Sequence, residues 1–584
     1  MAGIWKALVH QPPFNASTML LLTDGTIMCQ ESGGVRWWRL RPDTTGNYVN
    51  GTWSELAPMH HTRLYYASAV LADGRVLVAG GEYSDAGSET NTAEMYNPIT
   101  NTWTVIPGPP GWAQIGDAAC CVLPDGRFLL GSIGDVRTAL YDPTTGIWSA
   151  GPNKHDRSSE ESWSLLPDHS VLAAECTAHP KAEKYVPSAG AWVSAGTTPV
   201  DLVEASSIEI GPSFLLPDGR AFFIGATNHT ALYTMSATPT LPGTWAIGPS
   251  FPVGPSGQPM GAKDAPGCLM PNGNVLCVAG PVDGVSGHYL GPTSFFEFDG
   301  VALHKVSDPP NAAGVPFVGR MMLTPAGQVL FAAGTPAMYA YFPSGGPHPS
   351  WRPHITGAPG TVTWLGTHTL SGTQLNGLSQ AVGYGDDAAS ATNYPIVRLE
   401  NLATGKVTYC RTHNHSTMGV ATGSVVHTTQ FTVPFGAALG ASELVVIANG
   451  IASAPVTVTV KPFIFHFPVT REVLTSILAD VAETPQWVLT DEGASSLDPG
   501  TKGKQAAEIA REVQYAHRQI AEALGALEAL GGKVVAAKRK AAEAILPAVD
   551  PELSDGEDDD GKAVVAGYVV EAKAKAKSTA NARA

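Results

Sequence analysis

Tyr65, Asp117, Glu160 and Asp264 share one register: each stands nine residues before a Gly, or in one case a His, in segments that recur along the chain. Glu161 and Glu209 flank that level, and Arg63 and Arg320 lie two residues to either side of it. Carboxylates gathered beside a phenol suit a hard divalent cation such as calcium, an amine or a polyol. Held close together they would also perturb one another's pKa, as paired acids do in glycosidases. The plainer alternative is that they cap loop turns or pair with Lys154, Lys263 and the arginines. A second constellation is His413 and His415 in RTHNHS. Alternate residues of a strand face one side, so both imidazoles could serve one zinc or copper ion. No third ligand is identifiable from the sequence.

The register belongs to a repeat. Its turn residues are Gly25, Gly74, Gly126, His169, Gly219, Gly273 and Gly327, spaced 43 to 54 residues apart, the period of kelch blades. The clearest copy, AVLADGRVLVAGGE, runs from Ala69 to Glu82 and is followed by Tyr96 and Trp103. Asp-Gly between two apolar runs reads as a two-residue hairpin with a left-handed glycine. Tyr96, Tyr141, Tyr185 and Tyr233 fall on third strands; Trp53, Trp103, Trp148, Trp192 and Trp245 fall on fourth strands. No single blade can bury its apolar face, so the set must close on itself. The expectation is an all-β chain: a seven-bladed kelch-type β-propeller over 1–354, then an Ig-like β-sandwich over 355–462, where TVTWLG, YPIVRLEN, KVTYCRTH and SELVVIANG alternate as strands. A short helix and linker occupy 463–500. A C-terminal α-helical extension follows over 501–548, its apolar seam of Ile509, Val513, Ala516, Ile520, Ala523, Leu527 and Leu530 stepping as a heptad. Residues 549–584 read as an acidic, then Ala/Lys-rich, disordered tail.

Composition narrows the partners. A net charge of -16 argues against nucleic acid and anionic membranes. No apolar run is long enough to span a bilayer. Residues 1–20 lack the basic start and apolar core of a secretory signal, which points to the cytoplasm or to export by a non-classical route. The seven cysteines show no metal spacing and read as buried thiols.

Seven kelch-like blades followed by a sandwich resemble the galactose oxidase / glyoxal oxidase superfamily over residues 5–462. The resemblance implies a copper ion at the axial mouth, held by a Tyr cross-linked to a Cys, a Tyr-His pair of the last blade and a sandwich His. Tyr65 matches the cross-linked Tyr, and His413 matches the sandwich His, with His415 beside it. Ala16 stands in the place of the Cys; Phe317 and Val318 stand in the place of the Tyr-His pair. Without the Cys there is no thioether radical cofactor. The reading that follows is a non-enzymatic or catalytically diverged propeller. It binds a glycan or protein ligand at an acidic mouth lined by Tyr65, Asp117, Glu160, Asp264, Arg63 and Arg320. It assembles as a homo-oligomer, or with a helical partner, through 504–545. No cofactor is demanded; calcium suits the mouth better than copper. The alternatives are an oxidase with a rearranged copper site, a hydrolase or lyase using the carboxylates, and a structural subunit anchored by its C-terminal helices.

Overall fold

Every expected hairpin turn forms, and each is one residue longer than a two-residue turn. In the first blade Leu22 N–H donates to Thr26 O at 2.7 Å and Gly25 N–H to Leu22 O at 2.9 Å. That leaves a three-residue loop, a type I turn with a left-handed last residue. Gly25, Gly74, Gly126, Gly219, Gly273 and Gly327 have φ between 75° and 88°, and His169 takes the same place at 72°. The preceding acid fixes the turn: Asp24, Asp73, Asp168 and Asp218 each accept the backbone N–H two residues on, at 2.9–3.0 Å.

The computed structural model describes residues 3–85, 89–254, 256–282, 289–385 and 390–462, with the backbone of 563–565 and 568–570. Seven antiparallel sheets form the propeller: five of four consecutive strands, a sixth extended to six strands, and a seventh of three strands plus the N-terminal one. Third- and fourth-strand aromatics are direct cross-strand neighbours, as in Tyr96 opposite Trp103 and Tyr141 opposite Trp148. Their rings lie 5.1 and 5.0 Å apart, close enough to add to the area they bury. Each indole also ties blade to blade: Trp103 Nε1 donates to Ala57 O and Trp148 Nε1 to Pro107 O, at 3.0 and 2.8 Å. The N-terminal strand Ile4–Ala7 closes the ring by pairing with Met338–Phe342 as the outer strand of the seventh blade. Trp5 packs there against Tyr341 and Phe295 at 4.8 and 5.1 Å. Trp351 instead sits in a short 3-10 turn, against the Gly273 hairpin.

Strands between His354 and Lys461 form one nine-stranded ladder. It bends at Val407–His413: Val407–Cys410 pair with Ile396–Asn401 and its neighbours, whereas Arg411–His413 pair with Val426–Thr432. The two halves enclose a core that includes Leu370, Val397, Phe431, Leu444 and Val458. The helices expected within 463–500 and 501–548 lie outside the described residues. Within the tail expected to be disordered, Ala563–Val565 and Tyr568–Val570 pair as a short hairpin.

Candidate functional site

The two ends of the propeller differ. At the hairpin-turn end the second unit covers the blades: Thr412 N–H donates to Thr23 O, His415 N–H to Ala72 O and Met418 N–H to Pro124 O, at 3.0–3.2 Å. The opposite end, where the chain enters each inner strand, carries Tyr65, Asp117, Glu160 and Asp264.

Residues 378–385, leading out of the unit over 354–461, run up the propeller axis. Asn449 clasps the base of this loop, its Oδ1 accepting from Leu378 N–H at 2.9 Å and its Nδ2 donating to Ser379 O at 2.8 Å. Higher up, Gln380 Oε1 accepts from Leu165 N–H at 3.2 Å, and Val382–Gly383 pair with Gly267–Cys268 of the sixth blade's inner strand. Tyr384 and Gly385 lie beyond this pairing. A Cβ on Gly385 would stand 2.5 Å from Asp264 Cα and 2.7 Å from Ile210 O, so only glycine passes there. Tyr384 is buried and its hydroxyl donates to Phe317 O. The Arg320 guanidinium lies 4.0 Å from the Tyr384 ring centroid and 5.4 Å from that of Tyr65.

Around this plug the backbone is strained. Tyr65, Glu160 and Asp264 have φ of 48°, 51° and 47°, the left-handed region that non-glycine residues enter at a cost of about 1–3 kcal/mol. The three positions are equivalent in three blades. A bridge between Ala118 and Ser159 sets the Asp117 loop beside that of Glu160, and Asp264 N–H donates to Ile210 O at 3.1 Å. Buried Cys176 donates to Glu160 O at 3.3 Å. Burial first, then the charges of Glu161, Glu160 and Asp264, raise its thiol pKa, so Glu160 and Asp264 both act on one sulfur. Tyr65 contacts Tyr83 edge to face at 6.2 Å, and Tyr83 is 61% exposed.

Other members of the expected site sit beneath this face. Arg63 is fully buried. It pairs with Glu94 at 3.0 Å and donates to Gly80 O at 2.7 Å, so it clamps the second blade rather than lining the mouth. Burial works to raise the Glu94 carboxyl, yet hydrogen bonds from His60 and the charge of Arg63 hold it below its usual range. In the fourth blade Lys154 Nζ lies 2.5 Å from Glu161 and 2.9 Å from Glu183, all three buried. Lys263 pairs with Glu209. Local partners, as in the plainer alternative, therefore describe both acids: Glu161 accepts from Lys154, and Glu209 pairs with Lys263.

Residues 63–110 match the Kelch motif family, and that stretch is the second blade with its clamp and its Tyr96–Trp103 pair. Residues 3–342 thus form a seven-bladed propeller, one blade of which matches the Kelch motif. The chain is 34% identical over 145 residues to the Kelch-like protein terF of Aspergillus terreus, covering 23% of this chain and 30% of that protein. It is 30% identical over 109 residues to the F-box protein AFR of Arabidopsis thaliana, covering 17% and 27% respectively. The propeller thus spans under a third of the length of these curated relatives. Among solved structures it is similar to a fungal alcohol oxidase of the AA5 family in complex with copper, with a TM-score of 0.46, 14% identity and coverage of 79% of this chain and all of that one. It is also similar to a catalytically inactive virginiamycin B lyase from Staphylococcus aureus, with a TM-score of 0.43, 11% identity and coverage of 58% and 99%.

The copper that the resemblance implies does not fit this propeller's mouth. Ala16 is buried and bonds through its main chain to Thr335 and Gly334; it offers no sulfur. Phe317 and Val318 offer neither phenol nor imidazole. The segment of the second unit that reaches the mouth carries Tyr384, and His413 and His415 stay at the opposite end. The strand stops at His413, and Asn414 turns left-handed at φ 53°, so the alternation expected to align the two rings is broken. His413 Nε2 meets Thr432 Oγ1 at 3.2 Å, and His415 Nδ1 meets Thr429 Oγ1 at 2.8 Å. Burial pushes the His415 imidazole down to about 3, so it is neutral. Among the described residues no group of three or more His, Cys, Asp or Glu side chains is arranged to hold a metal. The axial loop went unread in the sequence. Its signal is the long stretch from 374 to 393 without an alternating strand pattern, uncommon inside a compact domain unless functional, and it contains the Gly-Tyr-Gly of 383–385.

Proposed function

We propose that the loop face is a recognition surface for a glycan or a segment of a partner protein, on a propeller that is non-enzymatic or catalytically diverged. The observation that carries this is the filled axis. Beside Ser162, Ser164, Ser213 and Gln380 the axial loop leaves room for little more than a water molecule, whereas small-molecule sites are of order 300–1,000 Å³. A ligand meets a surface on which Tyr83 is exposed and Tyr65, Glu160 and Asp264 are half-buried. Calorimetric titration of basic peptides, neutral peptides and oligosaccharides against the wild type, Glu160→Gln and Asp264→Asn tests it. For any binder, each substitution should weaken affinity by more than the ~1 kcal/mol of an exposed ion pair; affinities indifferent to both would sink the site. A peroxide-coupled assay with primary alcohols and aldehydes after copper loading should show no turnover. Sustained turnover abolished by Tyr65→Phe would instead establish a rearranged oxidase.

The ladder over residues 354–461 is read as an Ig-like sandwich, supported by its bend around one core. Assembly is assigned to the heptad segment within 504–545. Light scattering of the full chain and of a chain ending at Ser496 decides this: equal subunit counts refute association through that segment.

A further inference from the structure

We infer that Arg320 is a resident cation that locks the axial loop into the mouth. Three elements converge on it. Tyr65 enters from the second blade, Tyr384 from the axial loop, and Phe317 from the 3-10 turn Pro316–Val318 that begins the seventh blade. Arg320 itself is 4% exposed. Its Nη1 donates to Phe317 O and to Gly319 O, both at 2.8 Å, and the Tyr384 hydroxyl donates to the same Phe317 O. One carbonyl thus serves both the cation and the ring above it.

A guanidinium suits this position. It is planar, delocalised and weakly hydrated, so two aromatic faces can cover it while its edge keeps its hydrogen bonds. A lysine ammonium offers no plane to stack and holds its water more strongly. The lock joins the second unit to the far end of the propeller, because its loop is held at the base by Asn449 and at Tyr384 by Arg320. The inference does not depend on which ligand the loop face takes.

The test uses the full chain carrying Arg320→Ala. Backbone amide exchange should rise at least about tenfold over residues 380–385 and at Leu269, whose N–H is bonded to Ala381 O; tenfold is what one desolvated cation–π contact sustains. Millimolar methylguanidinium should slow that exchange again by filling the vacated plane, while sodium at equal ionic strength should not. Unchanged exchange in the variant overturns the lock. Faster exchange that methylguanidinium leaves unaltered overturns the resident-cation role and makes Arg320 a packing residue only. If the alanine variant does not fold, Arg320→Lys keeps the charge and loses the plane: exchange faster than wild type supports the inference, and wild-type exchange refutes it.

Discussion

Replacing Glu161 by Gln should remove a pH dependence that one buried carboxyl imposes on the fourth blade. Lys154 lies between Glu161 and Glu183, so one ammonium serves two carboxylates with no water to share the charge. Trp163 Nε1 donates to the same Glu161 oxygen at 3.0 Å. Burial, opposed by Lys154 and reinforced by the charge of Glu183, pushes the Glu161 carboxyl from 4.5 up to about 8. The folded chain therefore holds a proton at Glu161 that the unfolded chain has released. Stability falls as pH rises through the window between those two values and levels off above it. Each pKa unit corresponds to about 1.4 kcal/mol. On that scale the loss is about 2–3 kcal/mol from pH 5 to 7, and about 1 kcal/mol more by pH 9. Glutamine reproduces the protonated acid: its carbonyl can accept from Lys154 and Trp163, and it does not ionise. Urea unfolding of both proteins at pH 5, 7 and 9 and constant ionic strength measures the difference. The wild type should lose ground to the variant by those amounts. Curves that stay parallel across the range would show that Lys154 neutralises both acids and that Glu161 titrates in its ordinary range.

Two further outcomes are expected. Arg63→Met should cost about 3–5 kcal/mol, the loss from leaving one partner of a buried ion pair uncompensated; adding Glu94→Gln should restore part of the thermal stability, and a double variant less stable than the single would refute the charge argument. Trp5→Ala should destabilise the propeller by about 2 kcal/mol, below the 3–5 typical of a fully buried tryptophan because Trp5 is only half-buried. An unchanged melting temperature would mean that the Ile4–Ala7 strand does not hold the ring closed.

The blades were legible because their signals are local. Asp-Gly turns, alternating apolar strands and the Tyr–Trp pair all act within about twenty residues, and even His169 was recognisable as a turn residue from its spacing alone. The nine-residue register gave Tyr65, Asp117, Glu160 and Asp264 equivalent places in four blades, and three of them, Tyr65, Glu160 and Asp264, share a left-handed backbone. Depth was what it could not supply. Arg63 shares the level of Tyr65 in sequence, yet a carboxylate from the third strand, Glu94, draws it under the face. The two histidines were misplaced for a related reason. A sandwich His was expected to reach the mouth, and RTHNHS holds the histidines, but the segment that climbs the axis is the one without strand pattern. Which loop of a second unit threads a ring is decided by long-range docking: Thr412 on Thr23, Met418 on Pro124 and Asn449 at the loop base. None of these leaves a periodic trace.

The strained residues and the buried ion pairs belong to one device. Tyr65 follows Arg63 by two residues, and Arg63 is pinned to Glu94. Glu160 precedes Glu161, which is pinned to Lys154. Asp264 follows Lys263, which is pinned to Glu209. In each blade that carries a left-handed residue at the loop face, a position one or two residues away reaches a carboxylate–cation pair. Left-handed backbone persists at a non-glycine residue only where its surroundings over-determine it, and a desolvated ion pair is hard to break from one side. The two blades with fully buried clamps use different cations for the same end, an arginine in one and a lysine in the other. In both, a histidine bonds to the same third-strand acid from above, His60 to Glu94 and His155 to Glu183. What recurs is the fixing of the loop, not the chemistry of the residue displayed, which is a phenol in one blade and a carboxylate in the others. Fixed side chains cost less to order when a ligand arrives, which is why this device supports the recognition surface proposed above.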